Sequence, residues 1–522
     1  MSVQEKLDKF KYLVLDKLNN SNKNVIIVSP TGTGKTTNVL LHIAMNTDKK
    51  FLYVSPLKVL CEEVQRKLLS LGVQSDLITG DTWEEVPEAK HRVVISTFEK
   101  ADSMLRRGYK WLNPDTIVID EFHNMTNREA VESLILYALT EGKRLVLLSA
   151  TVSNIEEIAK WVNAEVVKFE ERVVPLYKGI VMGTLLYGDI PDKYVKRILV
   201  DPLQFAKEGK TIMVFVKSRW SALSFFKKLK KEYMDLAVVF HGGLDPSRRR
   251  EVVQQVMEGK KRIIITTTAL GQGINLPVWM IIFKDTQLPV IRDGALVGWR
   301  YLTVNEFNQI AGRAGRPGFD NEGIALIYAD NEDDFEVKKI YLTDSSNDVK
   351  RSLSLDDFIL TLLYRKKGVT YSELVKLAKY HTPDEEAIEK AISRLIFRKL
   401  VDNQLRVTEL GKALVLAYVN IEDGLEIAND LQTLRGMKIT VNDALRILST
   451  NQVLLNASRG QSVYGVLYNY INGEDVDVNF SFTKADLDNL INTARWVANA
   501  MLRIAKVLGL DANPFEELAK RL

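Results

Sequence analysis

Apolar residues in the first third of the chain fall into short β-rich runs separated by stretches of helical period. The runs are NVIIVS (24–29), FLYVS (51–55), VVIST (93–97), TIVID (116–120) and RLVLLSAT (144–151). Between them, EEVQRKLLSLG (62–72) and REAVESLILYAL (128–139) carry the three-to-four-residue spacing of helices with one buried face. Uniformly apolar strands alternating with helices predict a parallel sheet covered on both sides. The pattern restarts after about Pro175, with TIMVFV (211–216), LAVVFH (236–241), RIIITTT (262–268), WMIIFKD (279–285) and GIALIYA (323–329). The two halves share this pattern but no repeated sequence, so two α/β units in tandem are expected.

Near residue 345 the period changes. SLDDFILTLLY, TYSELVKLAKY and DEEAIEKAISRLIFRKL read as three short helices, and VDNQLRVTEL as two extended pieces around a polar turn. Three helices and a hairpin outline either a winged helix or an ordinary helical domain with one hairpin. From about 421 onward the chain reads helical, ending in the long amphipathic stretch ADLDNLINTARWVANAMLRIAKVLG (485–509).

Composition narrows this picture. The 522 residues suggest about three or four domains, and 46% hydrophobic with 26% charged residues is ordinary for a soluble globular chain. A net charge of only +4 gives no argument for nucleic-acid binding, so any basic footprint must be a local groove. The single cysteine, Cys61, excludes a disulfide framework and a cysteine-based zinc site, and a buried packing role is expected for it. The N-terminus lacks the apolar segment of a signal peptide, and no apolar stretch would span a bilayer, so a soluble cytoplasmic protein without membrane partners is expected.

Three motifs carry chemistry. The first strand runs into SPTGTGKTT (29–37) and then a helix, a loop whose amides and glycines can wrap a phosphate. Pro30, Thr31, Gly32, Thr33, Gly34, Lys35, Thr36 and Thr37 are the candidate nucleotide-binding residues; Lys35 would reach the β/γ-phosphates and Thr36 would hold Mg²⁺. Ser29 stands where the Walker A pattern has its first glycine. The strand TIVID then ends in Asp120-Glu121-Phe122-His123, at the strand end where doubly wound sheets bind ligands. Asp120 would hold the metal and Glu121 would orient or deprotonate an attacking water, whereas His123 is either part of this site or a structural histidine. The third motif is Gln309-Ile-Ala-Gly-Arg313-Ala-Gly-Arg316; arginines three apart on a helix share a face and suit a developing phosphoryl charge. Gln309 falls on about the same face, so a second α/β unit could present all three across a cleft to the first.

With these elements in order, the chain resembles the DExH helicases of superfamily 2, and their Ski-two-like branch in particular. SPLKVL (55–60), STFEKADSMLRR (96–107), SAT (149–151), FVKSRWSA (215–222), FHGGL (240–244), TTTALGQGINLP (266–277) and QIAGRAGRPGFD (309–320) are similar to family motifs, nearly end to end. Within the branch it looks most like the archaeal 3′→5′ DNA repair helicases related to the helicase part of polymerase theta. The resemblance implies two RecA-like P-loop domains (1–172 and 173–344), a winged helix (345–420) and a helical ratchet bundle (421–522). It implies ATP and Mg²⁺ as cofactors, single-stranded and forked DNA as partner (RNA being the alternative), and a monomer. Strand grips would come from Pro56, Lys58 and Lys100 on one domain and from Ser218, Arg219 and Thr267 on the other. A strand-separating hairpin is implied at QLPVIRDGALVGWRYLTV (287–304), turning at Asp293-Gly294, where Trp299 and Tyr301 either act at the fork or pack. On the terminal helix, Arg495 and Trp496 are the implied base-stacking pair, with burial of Trp496 in the bundle as the alternative. No upstream glutamine matches the family's adenine reader, since Gln4 is too far from the loop, and an additional C-terminal helical module of many relatives has no counterpart here.

Overall fold

A computed structural model describes residues 3–522 apart from 83, 151, 268–275, 277, 293–294, 316, 318 and 344–345. Two seven-stranded sheets form the first two thirds of the chain. The first contains β1 (Asn24–Val28), β2 (Phe51–Ser55), β3 (Asp76–Ile78), β4 (Val93–Thr97), β5 (Thr116–Ile119), β6 (Arg144–Ser149) and β7 (Ala164–Lys168). These run parallel in the order β3-β4-β2-β5-β6-β1-β7. Alternate residues of β2 serve opposite faces: Leu52 and Val54 join one core cluster, Phe51 and Tyr53 the other. Helices seal both clusters, as the uniformly apolar strands require.

The second unit contains β8 (Leu176–Met182), β9 (Leu185–Gly188), β10 (Ile212–Phe215), β11 (Ala237–Phe240), β12 (Ile263–Thr266) and β13 (Met280–Phe283). A two-stranded ribbon, β14 (Gln287–Arg292) with β15 (Ala295–Tyr301), is inserted before β16 (Gly323–Tyr328). The second sheet has the order β11-β12-β10-β13-β16-β8-β9, parallel except for the β8–β9 hairpin. In both units, therefore, loops at the carboxyl ends of inner strands can face a ligand.

The remainder of the chain is helical. Leu355–Arg365, Tyr371–Ala378 and Glu385–Phe397 are the three expected helices. The hairpin expected after them is reduced to one antiparallel bridge between Val401 and Val407. Thr408 shortens it, because its hydroxyl caps a further helix, Glu409–Ala417, by accepting from the Gly411 amide. The long helix expected to close the chain runs Lys484–Val507 behind a capping box of Thr483 and Asp486, and a further helix, Asn513–Arg521, follows it. One core cluster is shared by all the helices from Leu355 onward and includes Leu136 of the first unit. Among the described residues, no helix is long and apolar enough to cross a membrane.

Candidate active site and nucleic-acid interface

The loop after β1 is pinned from within. Thr33 donates to the Pro30 carbonyl (2.9 Å), which leaves the Ser29 hydroxyl to donate to Thr33 Oγ1 (2.6 Å). The Ser29 carbonyl accepts from Lys35 Nζ at 3.2 Å. Ser29 thus ties the loop where a first glycine was expected. Gly32 and Gly34 both sit at φ +85°, a backbone region open to glycine, and Gly34 starts the Lys35–Met45 helix. A Cβ on Gly32 would lie 3.0 Å from Pro317 of the second unit, so the loop packs directly against the segment after the third motif.

Across the sheet edge, Asp120 is buried at the end of β5. One carboxylate oxygen accepts from the Glu121 amide (2.9 Å) and the other from the Tyr53 hydroxyl (2.8 Å). Burial and the neighbouring Glu121 charge push Asp120 up to about 7. Glu121 itself occupies the left-handed region, with φ 53°, and opens the short 3-10 turn Phe122–Thr126. His123 Nδ1 lies 2.9 Å from Ser149 Oγ and 3.3 Å from Glu121 Oε2, and burial lowers its pKa, favouring a neutral ring. It therefore joins the acidic turn to the end of β6.

These residues fit a nucleotide-borne Mg²⁺. The buried Asp120 carboxyl and the half-buried Glu121 carboxyl share a site in which Lys35 offsets part of their charge, while burial and the Glu121 charge raise Asp120. No group of three or more His, Cys, Asp or Glu side chains among the described residues could hold a metal unaided. Mg²⁺ is commonly bound by one or two carboxylates plus phosphate oxygens, which is the donor set that Thr36, Asp120 and a nucleotide would supply.

A cleft of about 580 Å³ separates this site from the second unit, lined by Thr31, Glu121 and His123 on one side and by Asn308, Gln309 and Gly312 on the other. Gln309 is exposed into it from the Val304–Ala311 helix, which Thr303 and Glu306 cap reciprocally. The expected shared helical face of the arginines is not found. The helix stops at Ala311, Ala314 bridges to Val278, and Gly315 turns at φ 73° against Gly323, so Arg313 lies beyond the helix. Arg313 is half-buried and Arg316 lies outside the described residues, as do Thr151, the Asp293-Gly294 turn and most of 268–277. Carbonyls just past the helix end receive donors from across the cleft: Arg172 Nη2 reaches Gly312 (3.3 Å) and Ala314 (3.0 Å), and Thr31 reaches Gly312 (3.4 Å).

The expected strand grips divide into outward and inward residues. Lys58 is exposed, and Trp299 is 36% exposed on the ribbon with Lys217 Nζ 4.7 Å from its ring centre. Pro56 offers its carbonyl to Arg128 (2.9 Å), Ser218 caps the Arg219–Lys227 helix, and Thr267 accepts from its neighbour Thr266. Tyr301 donates to Asp334 (3.1 Å). Lys100 is only 2% exposed, bonded to the carbonyls of Asp81 and Glu84, and burial lowers its pKa. It anchors a loop instead of facing a groove. Arg219 is likewise consumed by a bidentate pair with Asp486, joined by Arg459 at 2.8 Å. Arg495 bonds the Leu522 carbonyl and Asn492, and the Trp496 indole donates to Ala417 (2.9 Å) of the Glu409–Ala417 helix, so both are engaged within the helical region. Sequence reasoning missed Tyr53, Arg172, Arg459 and Asp486; only Asp486 left a signal, as the third residue after the cap Thr483.

Comparison with known proteins agrees with this arrangement. The DEAD/DEAH box helicase model matches residues 5–158 and the helicase conserved C-terminal domain model residues 193–318. Putative helicase 7 of Sulfolobus islandicus filamentous virus (isolate Iceland/Hveragerdi) is 32% identical over all of this chain and 89% of its own length. The ATP-dependent DNA helicases Hel308 of Thermoplasma volcanium and Pyrococcus abyssi are 31% and 29% identical over 77% and 74% of this chain. The matches span 66% and 61% of those two proteins. Two parallel-sheet units facing across a cleft, each matched by its own helicase model, place this chain in helicase superfamily 2, in the Ski-two-like branch to which the archaeal Hel308 proteins belong.

Proposed function

We propose that the chain is an ATP-dependent DNA helicase that moves 3′→5′ along one strand and unwinds the duplex ahead of it. Its parts would be RecA-like domains at 1–172 and 173–344, a winged helix at 345–420 and a ratchet bundle at 421–522. The observation that carries the reading is the Asp120–Glu121 pair, Asp120 buried and Glu121 half-buried, set against the phosphate loop, with Gln309 facing it across the cleft.

In this mechanism Lys35 and the loop amides from Thr31 to Thr37 bind the phosphates, and Thr36 with Asp120 would hold Mg²⁺. The metal, when bound, neutralises charge between the phosphates. Glu121 aligns the water and takes its proton, while His123 and Ser149 fix the acidic turn. Gln309, Arg313 and Arg316 stabilise charge from the second domain, and closing and reopening the cleft steps the strand. The ribbon carries exposed Leu296, Val297 and Trp299 toward solvent, an apolar wedge suited to splitting a base pair. Grips on phosphate and sugar would leave sequence unread.

The test is strand displacement on DNA and RNA duplexes bearing 3′ or 5′ overhangs. Unwinding confined to 3′-tailed DNA is expected. Equal or better action on RNA would transfer the activity to RNA, and ATP turnover without unwinding would leave a translocase.

A further inference from the structure

Tyr53 carries a hydroxyl that packing does not require. It lies on β2 in the same core cluster as Phe51, which faces the same side two residues earlier with no hydroxyl. Phenylalanine would fill the core equally well. The Tyr53 oxygen, fully buried, instead reaches the sheet edge and donates to Asp120 at 2.8 Å. One phenol therefore touches a carboxylate read as holding the metal.

We propose that Tyr53 is a positioning residue for the divalent cation of the nucleotide site, holding the Asp120 carboxylate in the orientation that Mg²⁺ requires. This rests on the reading of that site given above. Asp120 Oδ1 is fixed by the Glu121 amide and Oδ2 by Tyr53, so the carboxylate is held at both ends while each oxygen keeps further acceptor capacity. A phenol is protonated at neutral pH, so its hydroxyl is available as the donor to Asp120. Mg²⁺ tolerates little departure from octahedral geometry, whereas Ca²⁺ accepts irregular shells. Losing the hydroxyl should therefore penalise Mg²⁺ more than Ca²⁺.

The experiment compares wild type with Tyr53→Phe by calorimetric titration of ADP without metal and with increasing Mg²⁺ or Ca²⁺. Thermal melting checks that the variant is folded. The Mg²⁺ concentration at half-effect should rise roughly 10-fold, within the range for lost outer partners of metal ligands. Metal-free ADP affinity should change less than about twofold, and the Ca²⁺ midpoint should move less than that of Mg²⁺. An unchanged Mg²⁺ midpoint, or equal losses for both metals and for metal-free ADP, overturns the proposal. If wild type binds no ADP under any condition, the nucleotide site itself is wrong and this role falls with it.

Discussion

The helical C-terminal region is joined to the two sheets by contacts of very different kinds. Toward the first sheet the joint is broad and deeply buried. Glu132, with no exposed surface, accepts from Arg351 Nε (2.7 Å) and from the amides of Ser352 (2.7 Å) and Leu353 (2.8 Å). Asp102 of the Phe98–Arg107 helix accepts from Tyr418 (2.9 Å) and Ser133 (2.6 Å) and pairs with Arg106 at 3.0 Å. Arg365 lies 3.5 Å from Glu141, and the Trp161 indole donates to Tyr380 (2.7 Å). Toward the second sheet the joint centres on one carboxylate. Asp486 takes Arg219 from the second unit and Arg459 from the bundle, and a Cβ on Gly243 would lie 2.7 Å from the Arg219 guanidinium. Trp220 packs on Phe480 at 4.8 Å beside it. Networks of satisfied buried charges resist separation, because each broken pair leaves another charge stranded. The first sheet and the helical region are thus fastened into one body, whereas the helical region meets the second sheet through a small ionic joint. In the proposed cycle the second domain is the part free to swing.

The contrast can be broken at either joint. Glu132→Ala should have the largest effect, about 3–5 kcal/mol, because it strands Arg351 and two backbone amides. A lowered midpoint for the first unit and helical region together in calorimetric melting would show it; an unchanged melt would mean that the broad joint does not hold. Asp486→Asn should cost less, about 3 kcal/mol at the lower end of that range, since asparagine still accepts at the cap while Arg219 loses its counter-charge. Faster proteolysis between the second unit and the bundle, with ADP binding intact, is the expected result.

Acid should act on the same joint. Arg219 and the Thr483 amide hold Asp486 down to about 2, against an ordinary 3.8. A lowered acid favours folding above its unfolded value, and that contribution is lost as pH falls from about 4 through 2. His241 lies beside it, held to about 4 against 6.5 by burial and Arg219. Its protonation in the unfolded chain opposes folding as pH falls from 6.5 through 4. Acid unfolding of wild type should therefore steepen below pH 6.5, and Asp486→Asn should flatten the part below pH 4. Trp220→Ala should have the smallest effect, about 0.5–1.5 kcal/mol, because the pair is edge-on and Trp220 is 59% exposed.

Local chemistry was legible in the sequence, and distant partnerships were not. The apolar runs marked most inner strands, and the phosphate loop and Asp120–Glu121 stood at strand ends where a ligand can bind. Strand β3, only three half-buried residues long, has too little pattern to read. The arginines were assigned to a helix because Gly312 and Gly315 carry no period of their own; the turn at Gly315 depends on close packing against Gly323. Lys100 and Arg219 have the composition of surface grips, yet the fold buries both. Arg219 meets a carboxylate 267 residues away, a pairing that no local pattern encodes.

The central claim, that the cleft hydrolyses ATP in response to a bound strand, is tested most directly by steady-state ATP turnover with and without single-stranded DNA, in wild type and Glu121→Gln. The account predicts turnover stimulated by DNA in wild type and a loss of about 100-fold or more in the variant, the scale of removing a general base, with DNA binding retained. Turnover in the variant equal to wild type, or no turnover in wild type with any nucleic acid, would contradict it.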